Sequence, residues 1–389
     1  MYIKYNTPCV GCIKNDLLFI SIIIVTIIVT MNQKLLDTWL NLKEDAYKIK
    51  NVIYLDWSKK TPCNAIWLDK VPDCFKTNCP GNETFIYKVF WKPINKEVII
   101  CGILKKYSIF THDETKYSNY SFLKSHLQKS IRRGNDNNAV KTAFHMIKMN
   151  PNQFLRRLAI IMIEDVVLHD CLGIIVWLTV ATSNYYILNT IQVEWLLGVV
   201  RILCINCYKD IYKLEDTRET RLYDMLNRRY LELDTRQYSL LYTIHFRESY
   251  GGLKCDKKML TNFCKMWYYR FNTGNDADKL DKTKIRPISI VMDDLELHHW
   301  ELSAIDFHSA KYFIDIIVKK YPEYTYDAVK ALIWKYSSSV NYREKGDDCE
   351  GDDDDGVCDD GTCDAWDAIK WYVGVKQKYI LYRYSLMDE

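Results

Sequence analysis

The sequence predicts an α+β protein: a small antiparallel, sheet-rich N-terminal part followed by a mainly α-helical bundle. Three observations carry that prediction. Between residues 51 and 112 the apolar runs are short, β-branched and aromatic, and turn residues separate them. From about residue 119 to 272 the runs lengthen and take helical spacing, and Pro151 is the only proline between Pro93 and Pro287. The 389 residues are 48% hydrophobic and 14% aromatic, with 29 Tyr and 11 Trp, which supplies a sizeable core for about two domains. That balance excludes a mainly disordered chain and a polytopic membrane protein.

The first segment, residues 1–31, is apolar. Leu17 to Met31 reads LLFISIIIVTIIVTM without a charge. It is shorter than the roughly 20 residues of a bilayer span and is followed by no small-residue cleavage motif. Three readings stand: a membrane anchor, a β-branched strand or buried helix, and an over-extended start whose true beginning is Met31. Residues 32–118 are expected to form a small α/β part. An amphipathic helix over 32–50 places Leu35, Leu36, Trp39, Leu40 and Leu42 among polar residues. The runs NVIYLDW, NAIWL, ETFIYKVFW and EVIICGIL follow, and Phe85–Trp91 with Glu97–Leu104 makes a hairpin across Pro93-Ile94-Asn95-Lys96.

Residues 119–336 are expected to form the helical domain. SFLKSHLQKSIRR over 121–133 is a basic helix stopped by Gly134. Asp136 or Asn137 caps the next helix, which runs to about Met149. Asn150 caps a third, with Pro151 at its first position. CLGIIVWLTVA and ILNTIQVEWLLGVVRILC suit buried bundle helices, because polar residues interrupt them. Residues 215–230 are charge-dense and suit a solvated helix.

The formal charge is +3, from 53 basic and 50 acidic residues. Residues 345–367 hold eleven of the acids and one base, so the remainder carries 52 basic and 39 acidic residues, a net of +13. A basic body suits a polyanionic partner, and equally a merely solvated surface. The acidic stretch GDDCEGDDDDGVCDDGTCD lies within a segment, residues 337–366, expected to be a disordered insertion. It lacks the Gly and Glu register of a calcium loop. It either screens the basic body, binds a basic partner, or is simply solvated. Residues 367–389 are expected to pack back on the body.

The 14 cysteines include two CxxC pairs, Cys9/Cys12 and Cys204/Cys207, neither with a second pair at zinc-ribbon spacing. Cys63, Cys74, Cys79 and Cys101 fall in the strand-rich region, where a zinc site is one reading. Two sequons, at Asn82 and Asn119, fit a secreted protein and also arise by chance.

The stretch Ser121–Gly134 resembles the C-terminal helical part of the MgsA/Werner-helicase-interacting AAA+ family. There a helix with a Lys-Ser-[Ile/Val]-Arg core ends in Gly, an Ala-bearing helix follows, and a Pro-led helix carries Arg-Arg and then Glu-Asp. This chain has Lys129-Ser130-Ile131-Arg132 and Gly134, then Ala139 and Ala143, then Pro151, Arg156-Arg157 and Glu164-Asp165. The resemblance spans residues 121–170 of 389. The chain departs from the family in having no GxxxxGK[S/T] phosphate loop, so ATP hydrolysis is not carried over. The resemblance implies a clamp-loader-collar-like module that assembles subunits beside DNA-processing machinery.

Candidate DNA-contacting residues are Lys124, Lys129, Arg132, Arg133, Arg156 and Arg157. For Lys129, Arg132 and Arg133 the competing reading is complementation of a helix dipole. Glu164 and Asp165 suit ion pairs with the neighbouring basic helix that fix its packing. A second cluster, Asp293-Asp294-Leu295-Glu296-Leu297-His298-His299-Trp300-Glu301 with Asp306 and His308, gathers N and O donors of the kind a divalent metal takes. His298, His299, Asp306 and His308 are its candidate ligands, and a metal-dependent nucleic-acid enzyme is the alternative function. HExxH is absent. The competing reading is a polar connection into a helix over Ala304–Lys320.

The expectation is therefore a non-enzymatic DNA replication or repair accessory without a cofactor. It binds DNA by a basic face and forms homo-oligomers or docks on replication or repair proteins. Its place is the nucleus or cytoplasm, unless residues 17–31 make it a membrane-anchored interaction protein. Lys-, Asn-, Ile- and Tyr-heavy usage fits an AT-rich, viral genome.

Overall fold

The computed structural model describes residues 50–76, 81–111, 119–206, 208–210, 233–274, 280, 286–293, 295, 311–337 and 362–383. Contacts divide the chain into two units. One comprises Met1–Ile49 and Leu226–Leu231, outside the described residues, and everything below belongs to the other. The apolar run 17–31, the amphipathic segment 32–49, the charge-dense segment 215–230 and the acidic residues 345–361 all lie outside the described residues.

The fold is α+β. Four strands come first: β1 (Val52–Trp57), β2 (Ile66–Leu68), β3 (Asn82–Trp91) and β4 (Lys96–Lys105). The β3–β4 hairpin is antiparallel, with Trp91 opposite Lys96. Asn95 closes its turn at φ 52, a left-handed conformation that Asn tolerates. The sheet itself is mixed, not wholly antiparallel. Its order is β2-β1-β4-β3, and β1 runs parallel to β4, with Tyr54 opposite Cys101. The reason is topological. The chain leaves β2 on one edge, forms β3 on the other, and the hairpin then returns β4 into the middle alongside β1.

Ten helices follow among the described residues: α1 (Tyr120–Arg132), α2 (Asp136–Met149), α3 (Pro151–Asp165), α4 (Cys171–Ser183), α5 (Thr190–Ile205), α6 (Thr235–Ser249), α7 (Lys254–Thr273), α8 (Lys311–Lys320), α9 (Tyr326–Leu332) and α10 (Thr362–Arg383). Their starts follow capping chemistry. Asn119, Asn135 and Asn150 each accept a first-turn backbone N–H at α1, α2 and α3. Asn135 takes the α2 cap, one residue before the predicted Asp136. Asn189 with Gln192 and Asp234 with Gln237 form capping boxes at α5 and α6.

Helix α4 is buried from Cys171 to Ala181, as a helix apolar on every side must be. It lies against the sheet, where Trp177 Nε1 donates to Cys101 O at 2.9 Å. Trp67 binds the sheet to α6. Its backbone N–H donates to Ser239 Oγ and its Nε1 to Thr243 Oγ1, both at 3.1 Å. Trp57 meets Trp195 of α5 edge to face at 5.3 Å. The core therefore sits between the inner sheet face and α4, α5 and α6. A separate apolar cluster joins α8, α9 and α10 through Ile314, Ile317, Val329 and Ile369. Among the described residues no helix is long and apolar enough to cross a membrane.

Candidate nucleic-acid interface

The six basic candidates separate into two groups. Helix α1 packs against α2, α3 and α5, so every residue from His126 to Arg132 is buried. Lys129 is 1% exposed and Arg132 9%. The sequence leaves both open as phosphate contacts or as complements of the helix dipole, and three-sided packing places them in the interior.

Arg132 has carboxylate partners there. Its Nε donates to Asp165 Oδ1 at 2.6 Å, and its Nη2 lies 3.5 Å from Glu164 Oε1. Gln128 extends the network. Its Nε2 donates to Asp165 Oδ2 at 2.7 Å and to Glu164 Oε2 at 3.1 Å, while its Oε1 accepts from Arg157 Nη2. The Glu164 carboxyl is held above the usual carboxylate range by desolvation first and Asp165 second, against the pull of Arg132, Arg157 and Gln128. Arg133 is half-buried, and its Nη2 donates to Ser337 O at 3.1 Å, tying α1 to the turn that follows α9.

Lys124, Arg156 and Arg157 form the second group, half-buried and brought together by packing of α1 on α3. Lys124 is pushed below the ordinary ammonium range by burial first and by the Arg157 guanidinium second. Its Nζ lies 4.9 Å from the centre of the Tyr120 ring. Arg156 faces α6, with its guanidinium 5.6 Å from the Tyr250 ring centre and its Nη2 3.5 Å from Tyr250 O.

There it meets Arg247, which the sequence analysis did not single out. Arg247 is 2% exposed. Its pKa is pushed down to about 10 by burial and then by Arg156, against the opposing pull of Asp256. Nε of Arg156, Arg157 and Arg247 is in each case buried without an acceptor. Lys124, Arg157, Arg156 and Arg247 thus make a row of cations across α1, α3 and α6. The signal for Arg247 was the stretch Arg247-Glu248-Ser249-Tyr250-Gly251-Gly252, a helix end running into paired glycines.

His298, His299, Asp306 and His308 lie outside the described residues, and of that segment only Asp293 and Leu295 are placed. Among the described residues no three His, Cys, Asp or Glu side chains are arranged to hold a metal ion. Of the four N-terminal cysteines, Cys79 lies outside the described residues. Cys74 and Cys101 meet the same tyrosine: Cys74 Sγ is 3.7 Å from Tyr54 Oη, and Tyr54 is the strand partner of Cys101. Comparison with family models, with curated proteins and with solved structures finds no match to this chain.

Proposed function

We propose that this protein is a nucleic-acid-binding accessory of replication or repair, without catalysis of its own, working in the nucleus or cytoplasm. It holds the phosphate backbone of DNA along the row Lys124, Arg157, Arg156 and Arg247, and its helical body serves assembly with further copies or with replication proteins. The collar-like resemblance of residues 121–170 supports the assembly role.

The observation that carries the binding role is the convergence of these four cations. Burial first, and then Arg157 for Lys124 and Arg156 for Arg247, lowers the pKa of those two cations, and Arg156, Arg157 and Arg247 each keep a buried Nε without an acceptor. Like charges gathered in partial burial, with Asp256 and Glu164 the acids beside them, fit a site that an anionic ligand completes.

The test is fluorescence anisotropy of labelled single- and double-stranded DNA with the full chain, between about 50 and about 200 mM salt. Binding that weakens steeply with salt, and weakens further in Lys124→Ala and Arg156→Ala, is expected. No binding at low salt, either by the full chain or by a form lacking residues 345–367, overturns the proposal.

A further inference from the structure

We infer that Arg156, Arg247 and the Gly251–Gly252 turn form a seat for the terminal phosphate monoester of a nucleic-acid strand. The inference rests on the nucleic-acid reading above, and adds to it the chemical group recognised and the place where it binds.

The seat lies between the end of α6 at Ser249 and the start of α7 at Lys254. The connection includes Gly251 at φ +109 and Gly252 at φ +132, backbone conformations that cost an L side chain heavily and glycine little. Two guanidinium groups flank this bare backbone. A Cβ on Gly251 would stand 3.6 Å from Arg156 Nη1, and one on Gly252 would stand 3.8 Å from Arg247 Nη1.

Arg247 is built in rather than laid on the surface. Its Nη1 donates to Gly251 O at 2.7 Å and its Nη2 to Arg156 O at 3.0 Å. Those two bonds fix the turn and the neighbouring arginine together, and the Nε of each guanidinium is left buried without an acceptor. The opening itself faces solvent, since Gly252, Leu253, Lys254 and Cys255 are exposed.

Helix α7 contributes to the same place. It runs for 20 residues, and its N-cap residue Leu253 offers no side-chain oxygen to the first-turn N–H groups. Uncapped N–H groups and the positive end of a long helix favour an anion there. An acid faces the seat. Asp256 Oδ2 would lie 3.9 Å from a Cβ on Gly252, and its charge supports that of Arg247. It competes with an incoming anion.

The choice of a monoester follows from donor and charge counting. A monoester at neutral pH carries close to two charges and three terminal oxygens. An internal diester carries one charge and two such oxygens, and needs room for a chain on both sides. Two guanidinium charges and the N–H groups of the α7 N-terminus suit a dianion better than a single charge. Lys124 and Arg157 lie next along the row, where the adjoining diesters of the same strand would run.

The experiment uses the full chain and one oligonucleotide sequence in three forms: 5′-phosphorylated, 3′-phosphorylated and with both ends as hydroxyls. Affinity for one phosphorylated form about ten- to a hundredfold above the hydroxyl form is expected. In Arg156→Gln that preference disappears, and all three forms bind alike at the lower affinity that loss of one cation of the row brings. In Asp256→Asn the preference grows, which a purely structural role of the loop would not produce. The second variant keeps the test alive if Arg156→Gln is poorly folded. Equal affinity for all three forms sinks the seat and leaves the broader reading intact. No binding of any form at low salt sinks the nucleic-acid reading and the seat with it.

Discussion

Arg132 and Asp165 meet across α1 and α3 through an N–H···O bond of 2.6 Å, and both side chains are nearly closed to solvent, at 11% and 1% exposure. It is the pairing of the α3 acids with the neighbouring basic helix that the sequence suggests, and it holds the two helices in one register. Gln128 and Glu164 complete the arrangement, so each oxygen of Asp165 receives a donor.

Removing one partner leaves the other charged and buried. Asp165→Ala is expected to lower stability by about 3–5 kcal/mol. The double variant Arg132→Met, Asp165→Leu should recover much of that loss, because no charge is then stranded. Urea denaturation of Arg132→Met, Asp165→Leu and the double measures the coupling. Additive losses would show that the pair does not hold the helices together.

The two buried imidazoles His126 and His245 set a pH dependence. Both are pushed down from the ordinary 6.5 to about 4, chiefly by burial, and for His126 also by Arg133 and Lys129. A lowered histidine pKa means that the unfolded chain binds the proton more tightly. The stability each contributes is complete above about pH 6.5 and is lost as the pH falls toward 4, on the order of 3 kcal/mol per residue. Glu164 and Glu248, both raised chiefly by burial, work in the opposite sense and reduce the net fall. Denaturation at about pH 7 and about pH 4.5 should show the loss. His245→Phe should shrink it, and an unchanged difference in that variant would rule out His245 as a source.

Trp67 is fully buried and joins sheet to helix through Thr243 Oγ1 at 3.1 Å. Thr243→Val strands the indole N–H in the core, at a cost of about 1–3 kcal/mol. Trp67→Ala removes the anchor altogether and should cost about 3–5 kcal/mol. The denaturation midpoint should fall in both while the slope with denaturant holds. A large change of slope in either would instead mean a broader rearrangement.

Lys124 and Lys129 lie five positions apart on one helix and should respond differently. Lys129→Ala, within the interior, is expected to lower the melting temperature and leave DNA affinity of the folded protein unchanged. Lys124→Ala should leave the melting temperature nearly unchanged and weaken DNA binding, lowering the salt slope by about 0.7–0.9 if one phosphate contact is lost. Calorimetry beside anisotropy separates the two, and equal effects of both variants on binding would argue against the row.

Much of the element order was legible before any coordinates. Asn150 followed by Pro151 marks the start of α3, and Gly134, at φ +71, marks the end of α1, because caps and stops are local chemistry. The parallel pairing of β1 with β4 was not legible. Short β-branched and aromatic runs say that strands form and not which strands meet. The basic helix misled for a similar reason. The spacing of Leu123, Leu127 and Ile131 identifies one apolar stripe, but nothing local says that α2, α3 and α5 would enclose Lys129 and Arg132 as well.

By itself, then, the amino-acid order determined the α+β class, the hairpin, the stop of α1 and the cap of α3, since each depends on neighbours a few residues away. Only the tertiary structure decided which cations were paired with acids inside, as Arg132 is with Asp165, and which were brought together, as Arg156 is with Arg247. Arg156 and Arg247 are separated by 91 positions in the chain and are joined by one hydrogen bond. Contacts of that range are set by how helices stack, and no local pattern encodes them.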